Sequence, residues 1–157
     1  MKRKWIYRIS WAALLFILFM ACDELPCEDT NGVQVNLGFY TLNGTSLSDT
    51  TIDTLTLQLY NEIDTPYTES YIKTHTLSFP LSQLVDTSTI IFMYKDSVFD
   101  TIIFHYDRSL ILENHQCGFE TFFEINNITT TSNRLDSVWV RKNLVEYGDE
   151  ENVKIYF

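Results

Sequence analysis

From Val33 to the last residue, apolar and polar side chains alternate with a period of two, as in strands that bury one face. Val33, Val35, Leu37 and Phe39 alternate with Gln34, Asn36 and Gly38, and Leu55, Leu57 and Leu59 with Thr54, Thr56 and Gln58. Ile102, Phe104 and Tyr106 alternate with Thr101, Ile103 and His105. Phe119, Phe123 and Ile125 share one face, with Glu120 and Glu124 on the other. Val138 and Val140 oppose Ser137 and Arg141, and Val153, Ile155 and Phe157 close the chain. Turn signals punctuate the runs at Asn43-Gly44, Asp64-Thr65-Pro66, Lys95-Asp96, Asn126-Asn127 and Gly148-Asp149.

This pattern predicts seven or eight strands, over about 33–42, 52–61, 71–79, 88–95, 98–107, 118–126, 134–145 and 152–157. The strand at 71–79 is the weakest, because Lys73 and His75 share the face of Leu77 and Phe79. Only Leu81-Ser82-Gln83-Leu84 suggests a helical turn. The expectation is an all-β fold, a single antiparallel Ig-like β-sandwich over 33–157, with a closed calycin-like barrel as the alternative. The terminal Phe157 after Val153 and Ile155 also fits an outer-membrane barrel. Segments 62–76 and 80–89 are too polar to supply lipid-facing rows, which argues against that reading.

The first residues follow a different rule. Lys2, Arg3, Lys4 and Arg8 precede a thirteen-residue apolar run from Ile9 to Ala21, and Cys22 follows at once. A charged start, a short apolar stretch and a small residue before the cut make a secretory signal, too short for a usual membrane span. The cysteine turns this into a lipoprotein signal: residues 1–21 removed, Cys22 acylated, and 22–32 left as an acidic tether. Two or more acyl chains hold stably where one does not. Asp23, Glu24, Glu28 and Asp29 resemble the acidic surface-export signal of Bacteroidota lipoproteins; a solvated tether would look the same. The expected location is the outer membrane, lipid-anchored, on its periplasmic or its outer surface.

Processing deepens the charge. Four of the eleven basic residues precede Cys22 and all twenty-one acidic residues follow it, so seven bases against twenty-one acids leave −14. Such a charge repels nucleic acid. With Cys22 acylated, Cys27 and Cys117 are the two cysteines left in an oxidising compartment, which predicts a disulfide between them. Closing a loop of about ninety residues is worth roughly 4–5 kcal/mol in the chain-entropy model. No Cys-x-x-Cys favours a redox or metal pair.

Candidate chemistry is sparse. His105 and Asp107 would share a strand face and His115 follows a turn, but the spacing identifies no metal site, and no cofactor is expected. No nucleophile elbow, phosphate loop or zinc motif occurs, so the chain reads as non-enzymatic. Trp139 alternates away from Val138 and Val140, so it is either exposed or covered by a second layer; core packing is the expected role, with an exposed binding surface at Trp139 as the alternative. Five Asp-Ser/Thr triplets resemble the O-glycosylation acceptor of Bacteroidota envelope proteins, with Thr50 in Asp49-Thr50-Thr51 the most loop-like.

The signal, Cys27 soon after it, a Tyr-rich hairpin and Cys117-Gly118-Phe119 before a Phe-rich strand together resemble a family of small uncharacterised Bacteroidota lipoproteins. The resemblance spans the mature chain and is most specific at Cys27 and Cys117-Gly118-Phe119. It implies the localisation and the disulfide, and it carries no catalytic residue. The functional expectation is a membrane-anchored envelope lipoprotein acting through protein contacts. The alternative is a small-ligand or glycan-binding lipoprotein.

Overall fold

Two sheets face each other across an apolar core in the computed structural model, which describes residues 32–43, 46–61, 67–95, 97–114 and 117–157. The first sheet contains β1 (Gln34–Asn43), β2 (Ser46–Asp49), β5 (Thr76–Pro80), β9 (Ser137–Val140) and β11 (Val153–Tyr156). Its path is β2-β1-β11-β9, and β5 shares the β2 side of β1, lying along the first half of that strand. The second sheet runs β10-β8-β7-β6-β3-β4, made from β3 (Ile52–Tyr60), β4 (Tyr67–Thr74), β6 (Thr87–Tyr94), β7 (Phe99–Asn114), β8 (Gly118–Thr130) and β10 (Leu144–Val145). The chain is an all-β sandwich, as its periodicity predicts. Its sheets stay separate, and the closed barrel is not the fold.

The core comes from the inward rows of both sheets. Val33, Val35, Leu37, Phe39, Val153 and Ile155 meet Leu55, Leu57, Ile90, Phe92, Ile102 and Phe104 across it. Edge-to-face rings join the layers: Phe39 to Phe92 at 6.1 Å and Phe79 to Phe104 at 5.7 Å. Each such fully buried side chain is worth roughly 1.5–3 kcal/mol of transfer free energy.

Several expected boundaries shift, each for a physical reason. Among the described residues eleven strands replace the expected seven or eight. The run at 71–79 breaks at His75, where the chain leaves the second sheet for the first, so the polar row of Lys73 and His75 marks a crossover. Lys73 takes a positive φ of 54° there. The expected strand 134–145 divides between the sheets as β9 and β10. The helical turn suggested at Leu81-Ser82-Gln83-Leu84 is not formed: residues 83–86 are bends held by Ser82, whose Oγ accepts from Leu84 N at 3.1 Å and Val85 N at 3.2 Å. Asn126-Asn127 is no turn: pairing passes from His105–Asn127 to Tyr106–Ile125, a bulge inside β8. Among the described residues every pairing is antiparallel except β1 with β11, which is parallel.

Asp100 fixes the return from the second sheet to the first. Its fully buried carboxylate accepts at Oδ1 from Asn133 N (2.7 Å) and Thr131 Oγ1 (3.0 Å). Oδ2 accepts from Arg134 N (3.0 Å), Leu135 N (3.1 Å) and Tyr94 Oη (3.2 Å). Burial pushes the carboxyl pKa up, but the backbone and hydroxyl donors outweigh it and hold it below the ordinary value. Leu135, in the same loop, is thereby seated in the core.

Candidate functional site

β9 is the edge strand of the first sheet, and alternation turns Val138 and Val140 inward and Trp139 out. Trp139 is 54% exposed, so the expected core packing is not its role: the outward face of this edge strand is left open, and the alternative of an exposed surface holds. Across the ladder it is paired with Lys154 of β11, which is paired in turn with Gly38 of β1. Tyr40 and Tyr156 continue this outer row, their rings 5.9 Å apart.

The row is organised around Glu151. Tyr40 Oη donates to Glu151 Oε2 at 2.6 Å, and Lys154 Nζ lies 4.4 Å from the centre of the Tyr40 ring. Glu151 Oε1 stands 3.8 Å from both Lys154 Nζ and Arg141 Nη1 and accepts no hydrogen bond. Gly38 makes the approach feasible, since a Cβ there would collide with Glu151 Oε2 and stand 2.9 Å from the Tyr40 ring. The hydrogen bond to Glu151, followed by burial, pushes the Tyr40 hydroxyl up to about 12. The outcome is a surface of Trp, Tyr, Arg and Lys around one partly covered carboxylate. Trp, Tyr and Arg are the side chains that dominate protein-contact energies.

The remaining sequence candidates are scattered. Thr50 follows β2, is held by its backbone N–H to Phe39 O at 2.9 Å, and borders a cleft of about 520 Å³. In that cleft Arg134 lies 4.9 Å over the Tyr94 ring. Of the other Asp-Ser/Thr triplets, the one at Asp100-Thr101 has its carboxylate committed inside the fold. His105 Nε2 sits 3.4 Å from Thr129 Oγ1, and His75 is exposed at the β4–β5 crossover. Among the described residues no three His, Cys, Asp or Glu side chains converge as metal ligands. Glu124 accepts from Asn143 Nδ2 at 2.9 Å. Cys22, Cys27 and His115 lie outside the described residues. Cys117 is half-buried in the turn before β8 and is disulfide-bonded, its partner outside the described residues.

Two features escape the sequence reading. Between β4 and the first sheet opens a cleft of about 470 Å³ lined by Leu57, Leu59 and Phe79 with Tyr67, Glu69 and Tyr71. Both tyrosine hydroxyls donate to Glu69 Oε2, at 2.9 Å from Tyr67 and 2.8 Å from Tyr71. Burial first, then Glu69, pushes the Tyr71 hydroxyl up. The second feature is the distal part of the β7–β8 hairpin, where Leu110, Leu112 and Phe119 are exposed. The apolar run Leu110-Ile111-Leu112 past Arg108 and Ser109 is the signal that could have revealed it.

No curated protein and no solved structure matches the chain. A family match begins at residue 51 and takes in every strand from β3 to β11, including Trp139, Glu151 and Cys117. Residues 51–157 match the family described as Family of unknown function (DUF6452), and the chain belongs to it.

Proposed function

We propose that the protein is a lipid-anchored envelope lipoprotein of the Bacteroidota that acts through protein–protein contacts and catalyses no reaction. The observation that carries this reading is the outer face of the first sheet, where Trp139 stands exposed on an edge strand beside Arg141, Lys154, Tyr40 and Tyr156. An unpaired edge offers backbone donors and acceptors to a partner strand, and the exposed Trp supplies an anchor for it. The leader from Lys2 to Cys22 supports cleavage after Ala21, acylation of Cys22 and retention at the outer membrane. With Cys22 committed to lipid, Cys27 is the partner we assign to Cys117. Thr50, on a loop beside an open cleft, is the glycosylation acceptor we favour.

Crosslinking of the tagged full-length protein in its native membranes, followed by mass spectrometry, tests the reading. One envelope protein should be recovered at near-equal amount, and Trp139→Ala should reduce it about tenfold, the effect of losing roughly 1.4 kcal/mol. Recovery unchanged by Trp139→Ala would remove this face as the contact. A second reading, small-ligand or glycan binding, is favoured by the Tyr67–Glu69–Tyr71 cleft, whose size falls in the range of ligand sites. Glycan binding abolished by Tyr71→Ala and retained in Trp139→Ala would establish it instead.

A further inference from the structure

The β7–β8 hairpin outruns the sandwich. β6 pairs with β7 only as far as Thr87–His105, and β10 meets β8 only at Phe123 and Glu124. Among the described residues, the stretch from Leu110 to Asn114 pairs solely with the stretch from Gly118 to Thr121. It is a two-stranded arm, which is marginal in water unless one of its faces is covered.

Beyond Arg108 that face is mostly apolar. Tyr106 and Phe123 are buried in the core, and stepping outward by two along each strand passes Arg108, ion-paired with Asp86, and Thr121 to reach Leu110, Leu112 and Phe119. Leu112 and Phe119 are directly paired, while Leu110 pairs with Thr121. The first sheet does not extend over them, so Leu110 is 66%, Leu112 47% and Phe119 63% exposed. Ile111, on the opposite face, is exposed as well. Cys117 sits in the turn that closes the arm, with its disulfide partner outside the described residues.

We propose that this arm is a membrane-contact element, its tip lying in the headgroup–acyl boundary of the bilayer that holds the lipid anchor. The proposal rests on the lipoprotein reading above. The chain's other cysteines are Cys22 and Cys27, and with Cys22 acylated the bond at Cys117 fastens Cys27 to the arm's tip. Five residues of extended chain reach at most roughly 17 Å and the disulfide adds about 6 Å between Cα atoms, so the acylated Cys22 stays within roughly 23 Å of Cys117. The anchor therefore delivers Leu110, Leu112 and Phe119 to the bilayer surface, where apolar faces bury to a depth of about 5–10 Å. The chain's acidic charge would repel an anionic leaflet, so hydrophobic contact close to the anchor is the chemistry left to hold the arm there.

The test uses the full-length lipidated protein in vesicles of phosphatidylethanolamine and phosphatidylglycerol, with bromine placed near the glycerol end of the chains. Phe119→Trp and, separately, Leu110→Trp are each made in a Trp139→Phe background, since the signal's Trp5 and Trp11 are removed by processing. Two reporter positions guard against one variant folding poorly. The expected result is loss of most of the reporter emission to brominated lipid, together with protection from aqueous iodide. Reporters quenched by iodide and spared by brominated lipid, on protein still bound to vesicles, would overturn the proposal. Protection from both quenchers would also overturn it, by showing that another part of the chain covers the face. A Cys22 found unacylated by mass, with the protein free of membranes, would instead remove the reading on which the proposal rests.

Discussion

Gly38 illustrates how much one missing side chain can decide. Its bare backbone lets the Glu151 carboxylate and the Tyr40 ring lie across β1, and both would meet a Cβ placed there. Gly38→Ala should push Glu151 off the Tyr40 hydroxyl and destabilise the fold by roughly 1 kcal/mol, read by denaturant unfolding. The pH dependence gives a second readout. In the folded chain the Tyr40 hydroxyl is pushed up to about 12 from 10.0. An unfolded chain therefore loses this proton first, so the stabilisation is complete below about pH 10 and fades as pH rises through the folded value. Tyr40→Phe should flatten the alkaline fall in stability between those values; a fall identical to wild type would show that the hydroxyl is not held by Glu151. At this scale the sequence was informative about direction and silent about company. Alternation alone pointed Trp139 outward, but nothing in the pattern brings Glu151 from its loop onto Gly38, because that contact depends on the parallel β1–β11 pairing.

Strands are legible where one face is buried and the other wet, and they blur where the chain changes sheets. β1, β3, β6 and β11 follow their alternation closely, whereas β4 and β5 were fused and β9 and β10 were joined. At both crossovers the period of two runs on in the sequence while the core it faces ends, so periodicity cannot mark the break. The β8–β9 connection shows what marks it physically: a buried carboxylate that gathers the N–H groups of Asn133, Arg134 and Leu135. Asp100→Asn keeps the shape but turns an amide toward these donors. It should destabilise by about 3 kcal/mol or more, with Asp100→Ala at least as severe, measured by chemical denaturation. Because the folded pKa lies below the ordinary 3.8, the stabilisation is present above that value and lost as pH falls through the folded one. The Asp100→Asn variant should therefore show a shallower acid limb below about pH 4 than wild type. Equal limbs would mean that another carboxylate governs acid unfolding.

The whole molecule is held by contacts between its ends. Asn152, next to β11, has its Oδ1 take the Asn36 N–H at 3.0 Å, while its Nδ2 donates to Lys142 O at 3.3 Å and Leu144 O at 3.0 Å. The last strand thus ties the first to the β9–β10 crossover. Two packed sheets were legible from strand number and spacing, but the parallel closure was not, since period-two patterning carries no strand direction. The disulfide at Cys117 is a further tie, and it lies at the turn of the β7–β8 arm. Beyond Arg108 no third strand among the described residues pairs with the arm, so restraint at its tip matters more than the same bond inside the sandwich would. Cys117→Ser should lower the melting temperature of the oxidised protein by about 5–15 °C, corresponding to roughly 2–4 kcal/mol. Cys27→Ser should produce the same drop, and the double variant should add nothing, because both substitutions remove one bond. Reduced wild type should melt with the variants. If Cys27→Ser melts with oxidised wild type while Cys117→Ser does not, the partner is not Cys27, and the arm's tip is not tied to the segment five residues beyond the anchor.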